Sequence, residues 1–181
     1  TRIIGVWREG QFMHNPPADF RIHRNDLLVA SGSSEALQQL HDITEIRELS
    51  PEQKSVLIIG YGKEGHRAEE VLLEHDTEAV LLDNQNIKEA DFVGDGSDPE
   101  LLKEANIEEM ATVIVAVSDD DTAILITLMV KDLNPEAEIL VQINNKSSMQ
   151  PIYRAGASYV LSLEQLTSQM LAGSALGEEL L

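Results

Sequence analysis

The chain has 181 residues, enough for one ordinary domain, or one domain plus a fragment, at about 100–200 residues per domain. It contains 43% hydrophobic and 25% charged residues, as globular proteins do, which excludes a largely disordered chain. The absence of cysteine excludes disulfides, thiolate zinc sites and cysteine nucleophiles. The net charge of −19 argues against binding to nucleic-acid phosphates or to an anionic lipid surface.

The charge is distributed unevenly along the sequence. Residues 1–50 carry a net charge of −2 and residues 51–181 carry −17, which indicates two compositional regions. Dense surface carboxylates increase solubility, and they can also form a cation-binding surface. The first interpretation is favoured.

The first region predicts short strands followed by a helix. Strands are expected at residues 2–7, 20–23 and 26–30, with a turn or an extended corner at Asn15-Pro16-Pro17. Ser33 and Ser34 then precede a predicted amphipathic helix as candidate caps. The polar segment 45–54, which contains Pro51, predicts a linker.

In the second region, apolar strands alternate with amphipathic helices. Strands are predicted at residues 55–59, 79–82, 91–93, 112–117, 139–143 and 159–161. Helices are predicted at residues 64–75, 99–105, about 122–133, 149–154 and 163–176. Strands that are apolar throughout indicate a parallel sheet covered on both faces. With right-handed crossovers, the fold class is α/β, a Rossmann-like, doubly wound parallel sheet of about six strands.

The segment Gly60-Tyr61-Gly62-Lys63-Glu64-Gly65 has the pattern G-x-G-x-x-G between a predicted strand and a predicted helix. Gly60 permits a tight turn, Gly62 lets a pyrophosphate approach the backbone, and Gly65 allows close helix–sheet packing. The helix N-terminus offers amide N–H groups to phosphates. Asp83 ends the second strand, where a carboxylate accepts hydrogen bonds from ribose hydroxyls and repels the extra phosphate of NADP. Nucleotide binding is favoured over an empty glycine turn.

Two more polar segments follow strands at the same edge of the predicted sheet. After the third strand, Asp95 can contact a base or cap the helix that starts near Pro99. After the fourth strand, Ser118-Asp119-Asp120-Asp121 offers a ligand or cation site, in competition with a helix N-cap at Asp120 or Asp121, and the cap is favoured. Three adjacent aspartates do not establish a calcium site.

The sequence shows no recognisable nucleophile–base pair, so no catalytic residue is predicted. No metal ligands are predicted either, because none of the histidines has zinc-site spacing. They are His14, His23, His41, His66 and His75.

In this order, the segments resemble the RCK (regulator of potassium conductance) domain, the Trk/Ktr-type nucleotide-binding module of potassium channels and transporters. Residues 55–181 resemble its TrkA-N lobe, through the glycine motif, VLLD, DFVGDGSDPELLKEANIEEM, VIVAVSDDDTAI and AGASYVLSLEQL. Residues 1–44 resemble the later half of a TrkA-C lobe, a small α+β fragment, through IIGVWREGQF and NPPADFRIHRNDLLVASGSSEAL. A C-lobe that precedes an N-lobe is expected where two RCK units follow each other, so we expect the chain to be a piece of a longer channel.

The resemblance implies a non-catalytic sensor that binds NAD or NADH, or alternatively AMP, ADP or ATP. It implies that phosphates contact Gly60, Tyr61, Gly62, Lys63 and Gly65. It further places the ribose at Asp83, the adenine at Asp95 and Gly96, and the nicotinamide or second ribose beside Ser118 and Asp119. Many relatives carry an arginine where this chain has Gln142, which leaves the phosphates to backbone dipoles and Lys63. Gln142 and Asn144 are not carboxylates, so the calcium site of some channel RCK domains is not supported.

The resemblance also implies partners and a location. A homo-oligomer through RCK–RCK packing is expected, as a dimer or a larger gating ring, with the last helix at the interface. A transmembrane potassium pore is expected in the parent chain or in a separate subunit, with this module on the cytoplasmic side of the membrane. The alternatives are a soluble Trk/Ktr-type regulatory subunit and a fragment of a NAD-dependent oxidoreductase. The oxidoreductase requires a substrate domain with a catalytic acid or base, for which the sequence shows no candidate.

Overall fold

The computed structural model describes residues 2–8, 11–14, 16–23, 26–31, 33–43, 55–162 and 168. Two compact units contain residues 2–43 and 55–162, respectively. The predicted linker at 45–54 lies outside the described residues, as does the predicted helix at 163–176 apart from the helical Ser168. No helix in the described part of the chain is both long and apolar enough to cross a membrane.

The first unit is a three-stranded antiparallel sheet followed by a helix. Its elements are β1 (Arg2–Arg8), β2 (Gln11–His14), β3 (Leu27–Ser31) and α1 (Ser34–Ile43). The strand order is β2-β1-β3, and Val6 of β1, which is 1% exposed, pairs with Met13 on one side and Leu28 on the other. The Ser33 side chain caps α1 by accepting a hydrogen bond from the Ala36 N–H at 3.3 Å, as predicted.

The strand predicted at residues 20–23 is wrong, and β2 was not predicted. Residues 20–23 form a loop that is held by Arg8 and Asp26 instead of by a strand partner. The Arg8 guanidinium donates to both Asp26 carboxylate oxygens, at 2.7 and 2.5 Å, and to the Arg21 carbonyl at 2.8 Å. It also lies 4.7 Å from the centre of the Phe20 ring. The hydrogen bonds from Arg8 hold the pKa of Asp26 below its usual value.

The second unit is a single six-stranded parallel sheet with helices between the strands. The strands are β4 (Val56–Ile59), β5 (Ala79–Asp83), β6 (Phe92–Val93), β7 (Thr112–Val115), β8 (Glu138–Ile143) and β9 (Tyr159–Ser162). The helices are α2 (Lys63–Glu74), α3 (Pro99–Glu104), α4 (Asp120–Leu133) and α5 (Met149–Ala155). Two one-turn 3-10 helices span Ile107–Glu109 and Lys146–Ser148. The predicted Rossmann-like fold class is confirmed.

Both faces of this sheet are covered, because consecutive side chains of a strand point to opposite faces. On β4, every residue of which is buried, Val56 and Ile58 pack against Ala68 and Leu72 of α2. Ile59 lies on the other face, where α4 buries Ile126. Full burial of one such Ile or Leu side chain stabilises the fold by about 1.5–3 kcal/mol.

The strand order β6-β5-β4-β7-β8-β9 places the site. The chain moves outward in one direction from β4 to β6, then returns to β7 on the other side of β4. Loops on the two sides of this reversal therefore diverge and leave a crevice at the carboxyl ends of β4 and β7.

Candidate nucleotide-binding site

A cleft of about 800 Å³ lies at this edge of the sheet. Loops that follow β4, β5, β6, β7 and β8 line it, with Ile59, Leu82 and Ile126 as apolar contacts. Among the predicted site residues, six line the cleft: Gly60, Gly62, Asp83, Asp95, Gly96 and Ser118. Its size and its mixed polar and apolar lining suit a small organic ligand.

The structure restricts the three positions of the glycine motif to different degrees. Gly60 has a φ of +95°, and a Cβ on it would lie 2.6 Å from the Ala116 carbonyl oxygen. A Cβ on Gly65 would lie 2.0 Å from the Gly60 carbonyl oxygen, because α2 packs directly on the loop. On Gly62 the nearest atom would be Glu64 Oε2, at 3.9 Å. The fold of the described residues therefore requires glycine at Gly60 and Gly65 but leaves open space at Gly62.

Gly62 is also the N-cap of α2, and no described side chain caps this end of the helix. The N-termini of α3 and α4 differ from this one, because each has a side-chain cap. Asp98 caps α3 by accepting a hydrogen bond from the Glu100 N–H at 3.0 Å, and Asp119 caps α4 by accepting one from the Thr122 N–H at 2.8 Å. The cap predicted at Asp120 or Asp121 is therefore wrong by one or two residues. At α2, the N–H groups of the first turn and the positive end of the helix dipole remain available where Gly62 lines the cleft.

Asp83, the last residue of β5, lines the cleft and also holds two loops. Its Oδ2 accepts a hydrogen bond from the Tyr61 N–H at 2.6 Å, and its Oδ1 accepts one from the Gln85 N–H at 2.7 Å. A carboxylate has about four acceptor sites, so each oxygen keeps capacity for a ribose hydroxyl.

Tyr61, Lys63, Gly65 and Asp119 do not line the cleft. The Tyr61 N–H is used by Asp83, and its phenol donates to Glu69 and lies 2.8 Å from His66 Nδ1. Burial, together with the hydrogen bond to the Glu69 carboxylate, raises the pKa of the Tyr61 phenol to about 12. This side chain thus packs beside α2.

Asp95, for which the resemblance predicts a contact with the adenine, lines the cleft together with its flanking glycines. Asp95 Oδ1 accepts hydrogen bonds from the N–H and the hydroxyl of Ser97, both at 2.8 Å, and these bonds lower the pKa of Asp95. Asp95 does not cap α3, since Asp98 does. A Cβ on Gly96 would lie 2.5 Å from Ile59, so this turn packs tightly on the sheet.

On the far side of the cleft, Asp120 connects the start of α4 to the end of β8. Its side chain is buried, and its two carboxylate oxygens accept hydrogen bonds from the N–H groups of Asn144 at 2.8 Å and Asn145 at 2.9 Å. Burial alone raises the pKa of Asp120, but these hydrogen bonds outweigh it and the pKa is lowered. Asn144 in turn donates from its side chain to the Ser118 carbonyl at 2.8 Å, and both residues line the cleft.

All the charged side chains in the described lining are acidic. Glu64, Asp83 and Asp95 contribute carboxylates, and none of the described lining residues is a lysine, arginine or histidine. Gln142, which stands where the resemblance leads us to expect an arginine, also lines the cleft. In the part of the chain that the structure describes, no three histidine, aspartate or glutamate side chains cluster closely enough to hold a metal ion.

Sequence reasoning missed Glu64, Asn84 and Gln85 among the polar lining residues. A signal was present for each of them. Glu64 lies inside the glycine motif, and Asn84 and Gln85 directly follow the strand-ending Asp83. Residues that follow a strand of a parallel sheet belong to the loops that line the ligand crevice.

The chain is similar to proteins of potassium channels and of potassium uptake systems. The chain is 31% identical over 111 residues to potassium channel protein 1 of Methanocaldococcus jannaschii. This alignment covers 56% of this chain and 33% of that protein. It is 26% identical over 166 residues to the Trk system potassium uptake protein TrkA homolog 1 of Methanosarcina mazei, covering 83% of this chain and 35% of that protein. The chain thus spans about a third of the length of each of these two relatives.

Among solved structures, the GsuK channel bound to NAD matches with a TM-score of 0.78 and 27% identity. The match covers 95% of this chain and 31% of that channel. A structure of GsuK bound to ADP also matches, with a TM-score of 0.63. The family model of the TrkA-N domain matches residues 56–163, which is more than half of the chain. This protein therefore belongs to the TrkA-N domain family.

Proposed function

We propose that this chain is a cytoplasmic ligand-sensing module of a potassium channel. NAD(H) or an adenine nucleotide binds in the cleft at the Gly60-x-Gly62-x-x-Gly65 loop and leaves it chemically unchanged, so the module is not an enzyme. Occupancy alters how copies of the module pack in a homo-oligomer, and this packing controls a transmembrane pore. The pore belongs either to the parent chain or to a separate subunit.

The space around Gly62 is the observation that best supports nucleotide binding. The backbone of Gly62 has an ordinary negative φ of −69°, and the nearest atom to a Cβ would be 3.9 Å away. A side chain at this position would instead fill the space in front of the uncapped N-terminus of α2. A phosphate needs this space in order to reach the backbone N–H groups.

The polar groups around Gly62 fit the remaining parts of a dinucleotide. Asp83 keeps acceptor capacity for ribose hydroxyls, and the turn at Asp95 and Gly96 offers a surface for the adenine. Ser118 and Asn144 lie across the cleft for the second nucleoside. Relatives named as potassium channels and the match to GsuK bound to NAD support the channel assignment.

A soluble regulatory subunit of a potassium uptake system is the second candidate. The observation in its favour is the relative from Methanosarcina mazei, which is named a Trk system protein and aligns with 83% of this chain. Both candidates use the same cleft and the same ligand class. A pore-forming segment in the parent sequence would favour the channel.

Calorimetric titration of the chain with NAD⁺, NADH, NADP⁺, ATP and AMP tests the proposal. We expect saturable binding of an adenine nucleotide and recovery of the ligand unchanged by chromatography after prolonged incubation. Binding by none of the five ligands to the folded protein would contradict nucleotide sensing. Conversion of bound NAD⁺ or NADH in the presence of a small hydroxy or keto substrate would favour the oxidoreductase instead.

A further inference from the structure

We infer that the cleft selects its ligand by phosphate charge, and that Glu64 makes it favour a dinucleotide diphosphate over ADP and ATP. This inference rests on the proposed function and specifies the ligand class of the same cleft. The glycine motif alone does not indicate which adenine nucleotide binds, whereas this inference predicts a preference for NAD.

Glu64 lies in the first turn of α2 and lines the cleft. Its Oε2 is the nearest heavy atom to a Cβ built on Gly62, at 3.9 Å. With the described residues Glu64 makes no hydrogen bond or ion pair. A phosphate bound at the N-terminus of α2 therefore meets an unpaired carboxylate at the same end of the helix.

The rest of the lining does not compensate this charge. Asp83 and Asp95 are carboxylates, each held by two hydrogen bonds, and the described lining residues include no cationic side chain. Backbone dipoles thus attract the phosphate, whereas three carboxylates repel it. Because a cleft screens charges less than bulk water does, each additional negative charge on the ligand weakens binding.

The candidate ligands differ in this respect. Each phosphate of NAD⁺ is bonded to one ribose and to the other phosphate, so each ionises only once, and the nicotinamide ring is a cation. The terminal phosphate of ADP or ATP is bonded only to the preceding phosphate and has a second ionisation with a pKa of about 6, so it carries an additional charge at neutral pH. Affinity should therefore fall in the order NAD⁺, NADH, ADP, ATP.

The test compares Glu64→Gln with Glu74→Gln, measured by calorimetry on the 181-residue chain. Glu74 ends the same helix ten residues later, about 15 Å along its axis, so its substitution removes an identical charge away from the cleft. We expect Glu64→Gln to tighten ATP and ADP about tenfold and NAD⁺ about threefold or less. Adenosine, which has no phosphate, should be unaffected. Glu74→Gln should change each affinity by less than about twofold.

A salt titration of the unmodified chain gives an independent readout. Salt weakens anion binding where cationic side chains hold the phosphates, because it screens an attraction. Here the dominant charge–charge term is repulsive, so raising the ionic strength should tighten ATP and narrow its difference from NAD⁺.

The possible results are distinct. Tighter binding of ATP than of NAD⁺ by the unmodified chain, or a Glu64→Gln variant with unchanged or weaker ATP binding, overturns the inference and leaves nucleotide sensing intact. Failure of every ligand to bind to both the unmodified chain and the Glu64→Gln variant overturns nucleotide sensing together with the inference.

Discussion

The backbone N–H of Tyr61 donates a hydrogen bond to Asp83 Oδ2 at 2.6 Å, across 22 residues of sequence. This bond connects the second residue of the glycine motif to the last residue of β5. The carboxylate that we propose as the acceptor of ribose hydroxyls therefore also fixes the loop that we propose to bind the phosphates. In the proposed binding mode, ligand recognition and loop conformation depend on the same side chain.

Asp83→Ala should weaken NAD⁺ binding at least about tenfold and remove the preference over NADP⁺. The variant loses the ribose acceptor and the charge that repels the extra phosphate, and it leaves the Tyr61 and Gln85 N–H groups without this partner. We also expect a loss of about 1–3 kcal/mol in the free energy of unfolding. Calorimetry and urea denaturation measure the two effects, with the exposed Asp132→Ala of α4 as control. NADP⁺ binding tighter than NAD⁺ in the unmodified chain would contradict this role.

Substitution of the motif glycines should separate the needs of the ligand from those of the fold. Gly62→Ala should leave the melting temperature within a few degrees of the unmodified value, because the nearest atom to its Cβ, Glu64 Oε2, would be 3.9 Å away. It should weaken nucleotide binding at least about tenfold, because the methyl group would occupy the space that a phosphate needs. Gly65→Ala should lower the free energy of unfolding by more than about 2 kcal/mol, because its Cβ would overlap the Gly60 carbonyl oxygen. Thermal unfolding and calorimetry on both variants provide the comparison. Equal nucleotide affinity of Gly62→Ala and the unmodified chain would show that the lack of a side chain at position 62 is not needed for nucleotide binding.

Asp120→Asn should destabilise the second unit by about 1–3 kcal/mol at neutral pH, since an amide oxygen cannot replace both acceptors of the buried carboxylate. The pKa of Asp120 is lower in the folded chain than its ordinary value of 3.8. Its contribution to stability is therefore fully present above about pH 4 and is lost as the pH falls through the folded-state pKa.

Urea denaturation at neutral pH and in steps below about pH 4 measures this dependence. The difference in unfolding free energy between the unmodified chain and Asp120→Asn should shrink as the pH falls. A difference that is constant across this range would mean that the carboxylate charge at Asp120 does not stabilise the fold.

Arg8→Ala should destabilise the first unit by about 3 kcal/mol, because it leaves the Asp26 carboxylate, whose side chain is only 2% exposed, without its cation. Arg8→Lys should recover only part of the loss, since an ammonium group cannot form the two-point pair or stack on Phe20 in the same way. Chemical denaturation of both variants measures the effect. Equal stability of Arg8→Ala and the unmodified chain would rule out this pair as the anchor of residues 20–23.

The sequence predicted the second unit more accurately than the first. The inner strands there are mostly apolar and alternate with amphipathic helices, so the described strands and helices were predicted to within a few residues. In the first unit, apolar and polar side chains alternate at residues 20–23, as they do in a strand. These residues nevertheless form a loop, which Arg8 of β1 holds through hydrogen bonds to the Arg21 carbonyl and the Asp26 carboxylate. Local periodicity contains no information about such a partner.

The same distinction holds within the site. The spacing of Gly60, Gly62 and Gly65 and the position of Asp83 at a strand end are properties of the sequence, because turn geometry and strand polarity are local. Which of three consecutive aspartates caps α4 and which one is buried depends on where the end of β8 lies. That placement gives the cap to Asp119 and the buried hydrogen bonds to Asp120.

The sequence by itself determined the α/β class, the strand–glycine loop–helix unit and the acidic character of the chain, since each follows from residue order and composition. Only the tertiary structure decided that Glu64, Asp83 and Asp95 line one cleft without a described cationic partner, and that Gly62 faces open space. The physical reason is that a parallel sheet brings loops together by strand order. Residues that are distant in sequence thereby come to share one electrostatic environment.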